Sequence, residues 1–436
     1  MTLELRVPRS SQSKAREPVL IMKRVWAGIA LVAITCCRHA PPAASPARAA
    51  TPEPTAPAPS ALPPLPRVAP AGGFTHPGVV VTRAQLDFVK ERLAKGEEPW
   101  TLALAKARKD RLGALSYTPK PFAVVECGPY SKPNVGCSQE RRDAAAAYTH
   151  ALLWHLTGDA AHARKAIEIM NAWSAVVKDH TLHNAPLQTG WAASLWPRAG
   201  EIILHAGKAD WPAPEVARFK KMLREVYLPE LLPGQPRFNG NWELIMIEGI
   251  QGIAVFLDDP DVYDAAVAMW RKRVPTYIYM KTDGPLPVRP VGGGREPHDE
   301  LIKHWYEQET FVDGLGQETC RDLGHLTMGF ASMVNVAETA WIQGLDLYAE
   351  ESLRIRTGFE FNTQYVEGVP VPAWLCAGVI KTNHSPAGEI VLNHYVGRKG
   401  FAMPNTERLV LSRRPLGAAV QIAWETLTHA GVGDRR

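Results

Sequence analysis

The sequence predicts an all-α fold, and three observations carry that expectation. Between Glu140 and about Leu257, amphipathic segments follow one another with only short turns between them. Helices of similar length joined by short loops become antiparallel neighbours. No fixed period runs through these segments, which disfavours a regular repeat array. Antiparallel helix pairs of this kind build a bundle, a solenoid or a closed α/α toroid. A composition of 46% apolar and 21% charged residues over 436 residues suits one large or two ordinary globular domains.

Taken in order, residues 1–21 are polar and patternless, and Met22 reads as the better start. From Met22 the chain runs M-K-R-V-W-A-G-I-A-L-V-A-I-T-C-C. Two basic residues before a short apolar run have the form of a secretory signal, too short to span a bilayer as a stable helix. Cys36-Cys37 after that run suggests a bacterial lipoprotein processing site, although Thr35 stands where a small residue is usual. Residues 1–37 are therefore expected to direct export to the periplasm or outer membrane, or secretion, with a possible lipid anchor. Residues 38–73 are nearly all Ala, Pro, Ser and Thr, a composition that cannot bury a core and reads as a tether. Most of the net charge of +5 lies in the first 37 residues, as Arg6, Arg9, Lys14, Arg16, Lys23 and Arg24 against Glu4 and Glu17. The remainder lacks the concentrated basic field of a nucleic-acid surface.

The folded region, residues 74–436, opens with Thr82 as a candidate N-cap before the stripe Leu86, Val89, Leu93. Cys127 and Cys137 bracket a Gly/Pro loop and are the best disulfide candidates of an exported protein. Cys320 and Cys376 are either a second pair or free thiols. Helices are expected over about 140–157, 160–177, 188–206, 213–231 and 241–257. Thr157-Gly158-Asp159 closes the first and caps the second. Residues 281–317 hold a run too rich in Gly and Pro for a helix, and a loop of that length in a compact domain is usually functional. No metal-binding spacing appears, and neither metal nor cofactor is expected.

Five polar clusters could carry chemistry. Gly316–His325 reads G-Q-E-T-C-R-D-L-G-H and precedes a helical stripe of Leu326, Phe330, Met333, Ala337 and Trp341. If the helix starts near Arg321, then Arg321 and His325 share a face, while Asp322 caps the helix and Cys320 packs. Asn239-Gly240-Asn241-Trp242-Glu243 sits before an apolar helix, where an Asn is also what an N-cap requires. Lys303-His304-Trp305-Tyr306 ends the Gly/Pro loop. Asn393-His394-Tyr395 with Arg398 lies near the C-terminus. Gln188 and Trp191 begin a segment running to Trp196 and Arg198, whose two Trp suit the core better than a sugar platform.

Amides, Arg, His, Tyr and Trp without a placed pair of carboxyls suit β-elimination from a uronic-acid polymer. That reaction removes the proton at C5, beside a carboxylate, and expels the sugar bonded through O4. An ionised carboxylate leaves this proton hardly acidic, so Asn, Gln, Arg or His must neutralise it. A His or Tyr takes the proton and a Tyr or His returns one to the leaving oxygen. Two rivals are an α/α-barrel glycoside hydrolase, which would need two placed carboxyls, and a non-catalytic glycan-binding lipoprotein.

The segment Gln317–His325 resembles the Q-E-(S/T)-x-R-D-x-G-H motif of alginate-lyase-like polysaccharide lyases, particularly polysaccharide lyase family 38. C-G-P-Y-S-x-P-N-x-G-C, N-G-N-W-E, W-I-Q-G-L-D-L-Y and N-H-Y-x-x-R-K-G…P-N-T…W-E-T-L-T-H-A are similar to that family as well, in one order from His76 to Ala430. Family 5 alginate lyases, with an Asn-His pair, an Arg and a Tyr, are more distantly similar; here the helix start reads N-G-N-W. The resemblance implies a single (α/α) toroid, export, no required metal, and elimination on alginate or glucuronan. On this reading Asn241 (with Asn239 second) and Arg321 neutralise the carboxylate, and His325 is the base. Tyr306 or Tyr395 protonates the leaving oxygen. Asn239, Trp242, Gln317, Glu318, His394, Arg398, Trp191 and Gln188 orient or bind the sugars. The expected partner is an anionic polysaccharide, with no nucleic acid.

Overall fold

The computed structural model describes residues 66–290 and 298–436. The expected export signal, Cys36, Cys37 and all but the end of the segment read as a tether lie outside these residues. The described residues form one compact unit. The folded chain begins earlier than Phe74. Arg67 pairs with Asp261, and the backbone N–H groups of Val68 and Ala69 donate to Asp264 at 3.0 and 2.7 Å. A Pro-rich composition hid this strap, because its partners are side chains almost 200 residues away.

Seventeen helices dominate the described residues. After α1 (Arg83–Ala94) and α2 (Trp100–Lys109) comes a small sheet. Its strand β1 (Val124–Cys127) pairs antiparallel with β2 (Asn134–Val135) and parallel with β3 (Asp179–Thr181). Then follow α3 (Cys137–Thr157), α4 (Ala160–Val176), α5 (Ala185–Ala193), α6 (Trp196–His205), α7 (Ala213–Met222), α8 (Leu228–Leu231), α9 (Gly240–Leu257) and α10 (Pro260–Tyr277). The second half holds α11 (His298–His304), α12 (Leu323–Ile342), α13 (Leu347–Glu350), α14 (Ser352–Val366), α15 (Glu389–Leu392), α16 (Pro404–Arg413) and α17 (Glu425–His429). A two-stranded ribbon, β4 (Ala418–Ala419) and β5 (Ile422–Ala423), precedes the last helix.

The boundaries follow local chemistry. Thr82 caps α1 by accepting from the Gln85 N–H. Gly158 ends α3 in the left-handed region and the Asp159 side chain opens α4. The single helix expected over 188–206 is two, because Pro197 has no N–H to continue α5 and instead starts α6. The segment 213–231 is likewise broken, by a wider π turn over Leu223–Tyr227. Helix α11 lies inside the stretch read as irregular, directly after the Gly/Pro run.

The helices pair as an (α/α) toroid. Helix α9 is mostly apolar and buried along its whole length, with α5, α10 and α12 packed against it. Helix α3 packs on α4 and α6. A helix buried on every side is an inner element, so its N-terminus at Gly240 is fixed from several directions. That rigidity positions the polar cluster described next. Two disulfides, Cys127–Cys137 and Cys320–Cys376, tie β1 to α3 and the segment before α12 to a distant loop.

Candidate active site

The N-termini of α9 and α12 converge on one polar cluster. Pairing between Tyr277–Tyr279 and Gly314–Gln317 delivers the segment that feeds α12: Gln317 donates to the Tyr277 carbonyl at 2.8 Å and Tyr279 to the Leu315 carbonyl at 2.9 Å. Helix α12 starts at Leu323, two residues later than expected, with Asp322 as its cap accepting from the His325 N–H at 2.9 Å. Arg321 therefore stands just outside the helix. Its side chain still folds back onto His325, with Nη2 3.0 Å from Nε2.

Asn239 occupies the N-cap position of α9 but makes no side-chain capping bond. Its amide nitrogen donates instead to the Tyr306 hydroxyl at 2.7 Å, and its oxygen accepts from Gln317 at 3.1 Å. The capping explanation for this motif is thus excluded for the side chain. Gly240 has a reason of its own: a Cβ there would meet the Tyr277 ring at 2.1 Å, and one at Gly329 would meet the Tyr277 hydroxyl at 2.3 Å. Two glycines let Tyr277 lie wedged between α9 and α12 with its hydroxyl donating to Glu318 at 2.8 Å.

Glu318 is the hub. It is 0% exposed and accepts from Asn241 Nδ2 at 2.7 Å, Arg321 Nη1 at 2.7 Å, the Asn241 N–H at 3.3 Å and Tyr277. A buried carboxylate is tolerated only when paired and hydrogen-bonded in this way. Burial and the Glu318 charge hold the Tyr277 hydroxyl well above the ordinary tyrosine range, so it stays a donor. Arg321 and Asn241 are consequently fixed in place.

His325 is the accessible member, its side chain 41% exposed. Asp322 lies 2.7 Å from its Nδ1, which sets the tautomer that leaves Nε2 as the basic nitrogen. Although burial raises it, Asp322 is held well below the carboxylate range by its bonds from the His325 ring and backbone. Tyr306 is half-buried in a left-handed backbone conformation (φ 59°). Burial, then Glu318, raise its pKa against the opposing pull of Arg321 and Asn239, so its hydroxyl carries a proton at neutral pH.

Beside this wall lies an aromatic platform. Trp242 stacks on Phe238 with ring centroids 4.7 Å apart, and the exposed His183 packs edge-on to Trp242. Trp191 joins the same cluster, and Arg141 covers its ring. Phe238, His183 and Arg141 carry no motif and were not foreseen; nor was Tyr277, whose one sequence trace is the pair of glycines it requires.

Several expected ligand contacts need correction. Gln317 and Glu318 are fully buried and cannot touch a sugar; they position Asn239, Asn241 and Arg321. Gln188 is buried too, bonded to Arg141, Glu140 and the Cys137 carbonyl. Tyr395, His394 and Arg398 do not join the cluster. Tyr395 donates to the Tyr348 carbonyl at 3.0 Å, and burial lifts it above the usual tyrosine range. His394 stacks on Tyr348 with centroids 3.8 Å apart, its pKa down to about 3 through burial and the charges of Arg398, Lys399 and Arg436. Arg398 forks onto Glu338 at 2.6 and 2.9 Å and donates to the Gly433 carbonyl. This segment docks the C-terminal tail.

With the geometry established, comparison with known proteins is informative. A family model described as alginate lyase matches residues 131–372, more than half of the chain. No curated protein matches. Among solved structures, the fold is similar to a Tyr-to-Phe variant of alginate lyase A1-III complexed with tetrasaccharide. That similarity has TM-score 0.54 and 17% identity, covering 82% of this chain and 97% of that one. A His-to-Ala variant of the same lyase with tetrasaccharide gives TM-score 0.55 at 16% identity, covering 82% and 96%.

Proposed function

The chain belongs to the alginate lyase family and is a polysaccharide lyase of alginate-like polymers, and from that premise we propose how its residues divide the reaction. The observation that carries the proposal is the set Asn241, Arg321, His325 and Tyr306 held around one partly open wall by the buried Glu318.

A uronate carboxylate enters where the N-termini of α9 and α12 meet, a place that favours anions. Asn241 and Arg321 hydrogen-bond it, spreading the charge that builds when the C5 proton leaves. Arg321 moves from His325 onto the substrate, which frees the Nε2 lone pair. His325, oriented by Asp322, then removes the C5 proton. The electrons form the C4–C5 double bond, the C4–O4 bond breaks, and the Tyr306 proton goes to O4. Products are one chain with a new hydroxyl and one ending in an unsaturated uronate. Trp242 supplies an apolar face for a neighbouring sugar ring.

Export, with residues 1–37 as its signal and a lipid anchor at Cys36 or Cys37, is part of the same proposal. The polymer is extracellular by size, and two disulfides suit an oxidising compartment. Alginate, glucuronan, pectate and glycosaminoglycans, each scored for unsaturated-uronate absorbance, test the reading. Absorbance should rise on alginate or glucuronan. New saturated ends without absorbance would replace the lyase by a hydrolase, and binding without cleavage would leave a glycan-binding protein.

A further inference from the structure

At the opposite end of α9 a second cluster has no part in this reaction. Helix α9 has 18 residues and therefore spans about 27 Å, so its C-cap Asp258 lies far from Asn241. Beside Asp258, Glu201 and His205 sit four apart on α6, on one face of the helix. His76 arrives from the N-terminal strap, 125 residues before Glu201. Its Nδ1 is 3.0 and 2.9 Å from the two Glu201 oxygens, and its ring stacks on His205 with centroids 4.6 Å apart. His205 Nε2 is 3.9 Å from Glu201 Oε1.

We propose that His76, Glu201 and His205 form a structural site for a borderline divalent metal ion, zinc by preference, which clamps the N-terminal strap to the barrel. One ligand atom from each residue falls within 4.8 Å of the other two. A tetrahedral zinc with bonds of about 2.0–2.2 Å sets its ligands about 3.3 Å apart, so small side-chain rotations close the site. Two imidazoles and one carboxylate match the donor preference of zinc better than that of calcium or magnesium.

The surroundings are those of a metal site rather than of a plain ion pair. Asp258 Oδ1 is 3.1 Å from the other ring nitrogen of His76, the outer carboxylate that fixes a ligating histidine. The Gly78 N–H donates to Glu201 Oε2 at 2.8 Å, orienting the carboxylate while leaving Oε1 toward His205. Glu201 is 0% exposed, whereas His205 at the rim is 37% exposed, which gives an entry path. The fourth position faces solvent and takes water.

The test uses the full chain. Metal content of protein purified without chelator is measured, and chelator-stripped protein is titrated with cobalt(II) and zinc. About one equivalent of zinc and visible cobalt bands of a four- or five-coordinate site are expected, with a rise in Tm on zinc addition. His205→Ala removes one ligand but leaves the His76–Glu201 contact, so its metal-free Tm should equal that of stripped wild type. This variant should bind neither ion and should show no zinc-dependent rise, with lyase turnover unchanged. Absence of cobalt bands and of a zinc effect in the wild type overturns the proposal, as does His205→Ala binding metal as the wild type does.

Discussion

Two regions of this molecule carry almost the same side chains in different surroundings. Around Glu318 stand Tyr277, Arg321 and His325; around Glu338 stand Tyr348, Arg398 and His394. In each, a tyrosine hydroxyl and a guanidinium donate to a buried glutamate, and the arginine also reaches a histidine four residues away along the chain. The difference is access and orientation. The Arg321 side chain is 21% exposed and that of Arg398 4%. His325 opens to solvent with Asp322 holding Nδ1, whereas His394 is buried with Nε2 unpartnered. The same residue types thus leave an arginine and a histidine open to solvent in one place and closed away in the other.

The comparison is sharpened most by changing the two arginines alike. Lysine keeps the charge but loses the planar fork. Arg321→Lys should lower turnover by about 10²–10³-fold with little change in Tm, the loss typical of one misplaced charge-stabilising donor. Arg398→Lys should instead cost about 1–3 kcal/mol of stability through strained bonds to buried Glu338, with turnover per folded molecule intact. Steady-state kinetics beside thermal melts measure both. Equal kinetic losses would erase the distinction between the regions.

The tyrosines give the next contrast. Tyr306→Phe should lower turnover by about 10²–10⁴-fold. Tyr395→Phe should cost about 1 kcal/mol of stability and no turnover. Because burial and Glu318 raise Tyr306, it must stay protonated past its ordinary range, so the alkaline fall in activity should lie above about pH 10. A pH–rate profile falling well below that value would remove Tyr306 as the proton donor.

Cys320 directly precedes Arg321, and its bond to Cys376 spans 56 residues. Replacing both by alanine should cost about 2–4 kcal/mol. It should also lower turnover, while the same change at Cys127 and Cys137 lowers stability with a smaller kinetic effect.

Glu425 offers the smallest test, because it is buried without the direct arginine bond that Glu318 and Glu338 receive. Burial, with Glu389 adding to it, pushes its pKa up to about 7, against N–H bonds from Gly388 and Glu389. A carboxyl raised above its unfolded value gives stability that is complete below the unfolded pKa and is lost as pH rises through the folded one. Glu425→Gln should therefore leave stability nearly unchanged below about pH 4 and raise it by roughly 1–3 kcal/mol above about pH 8. Melts across pH check this.

How much of this was legible follows from what a linear sequence records. Helix positions came from periodicity and caps; the missed break at Ser194–Leu195 traces to the unread stop at Pro197, while the π turn within 213–231 and helix α11 left no comparable signal. Asn241, Tyr306, Arg321 and His325 were readable as candidates because unusual polar types cluster at helix starts and loop ends, and the fold brings the four together. Their burial was not. Glu318 looked like a sugar ligand and His394 like an active-site residue because type and spacing are silent on exposure. Tyr277 and the His76–Glu201–His205 group were hidden because their partners lie tens to over a hundred residues away, and only the fold joins them.

The central claim is that the wall at Glu318 moves the C5 proton, and His325 is where it is most directly tested. His325→Ala, confirmed as folded, is assayed for unsaturated-uronate formation with and without added imidazole. Turnover should fall by about 10²–10⁴-fold and recover in part with imidazole, since the vacated position opens to solvent. A folded His325→Ala enzyme with full turnover would contradict the account.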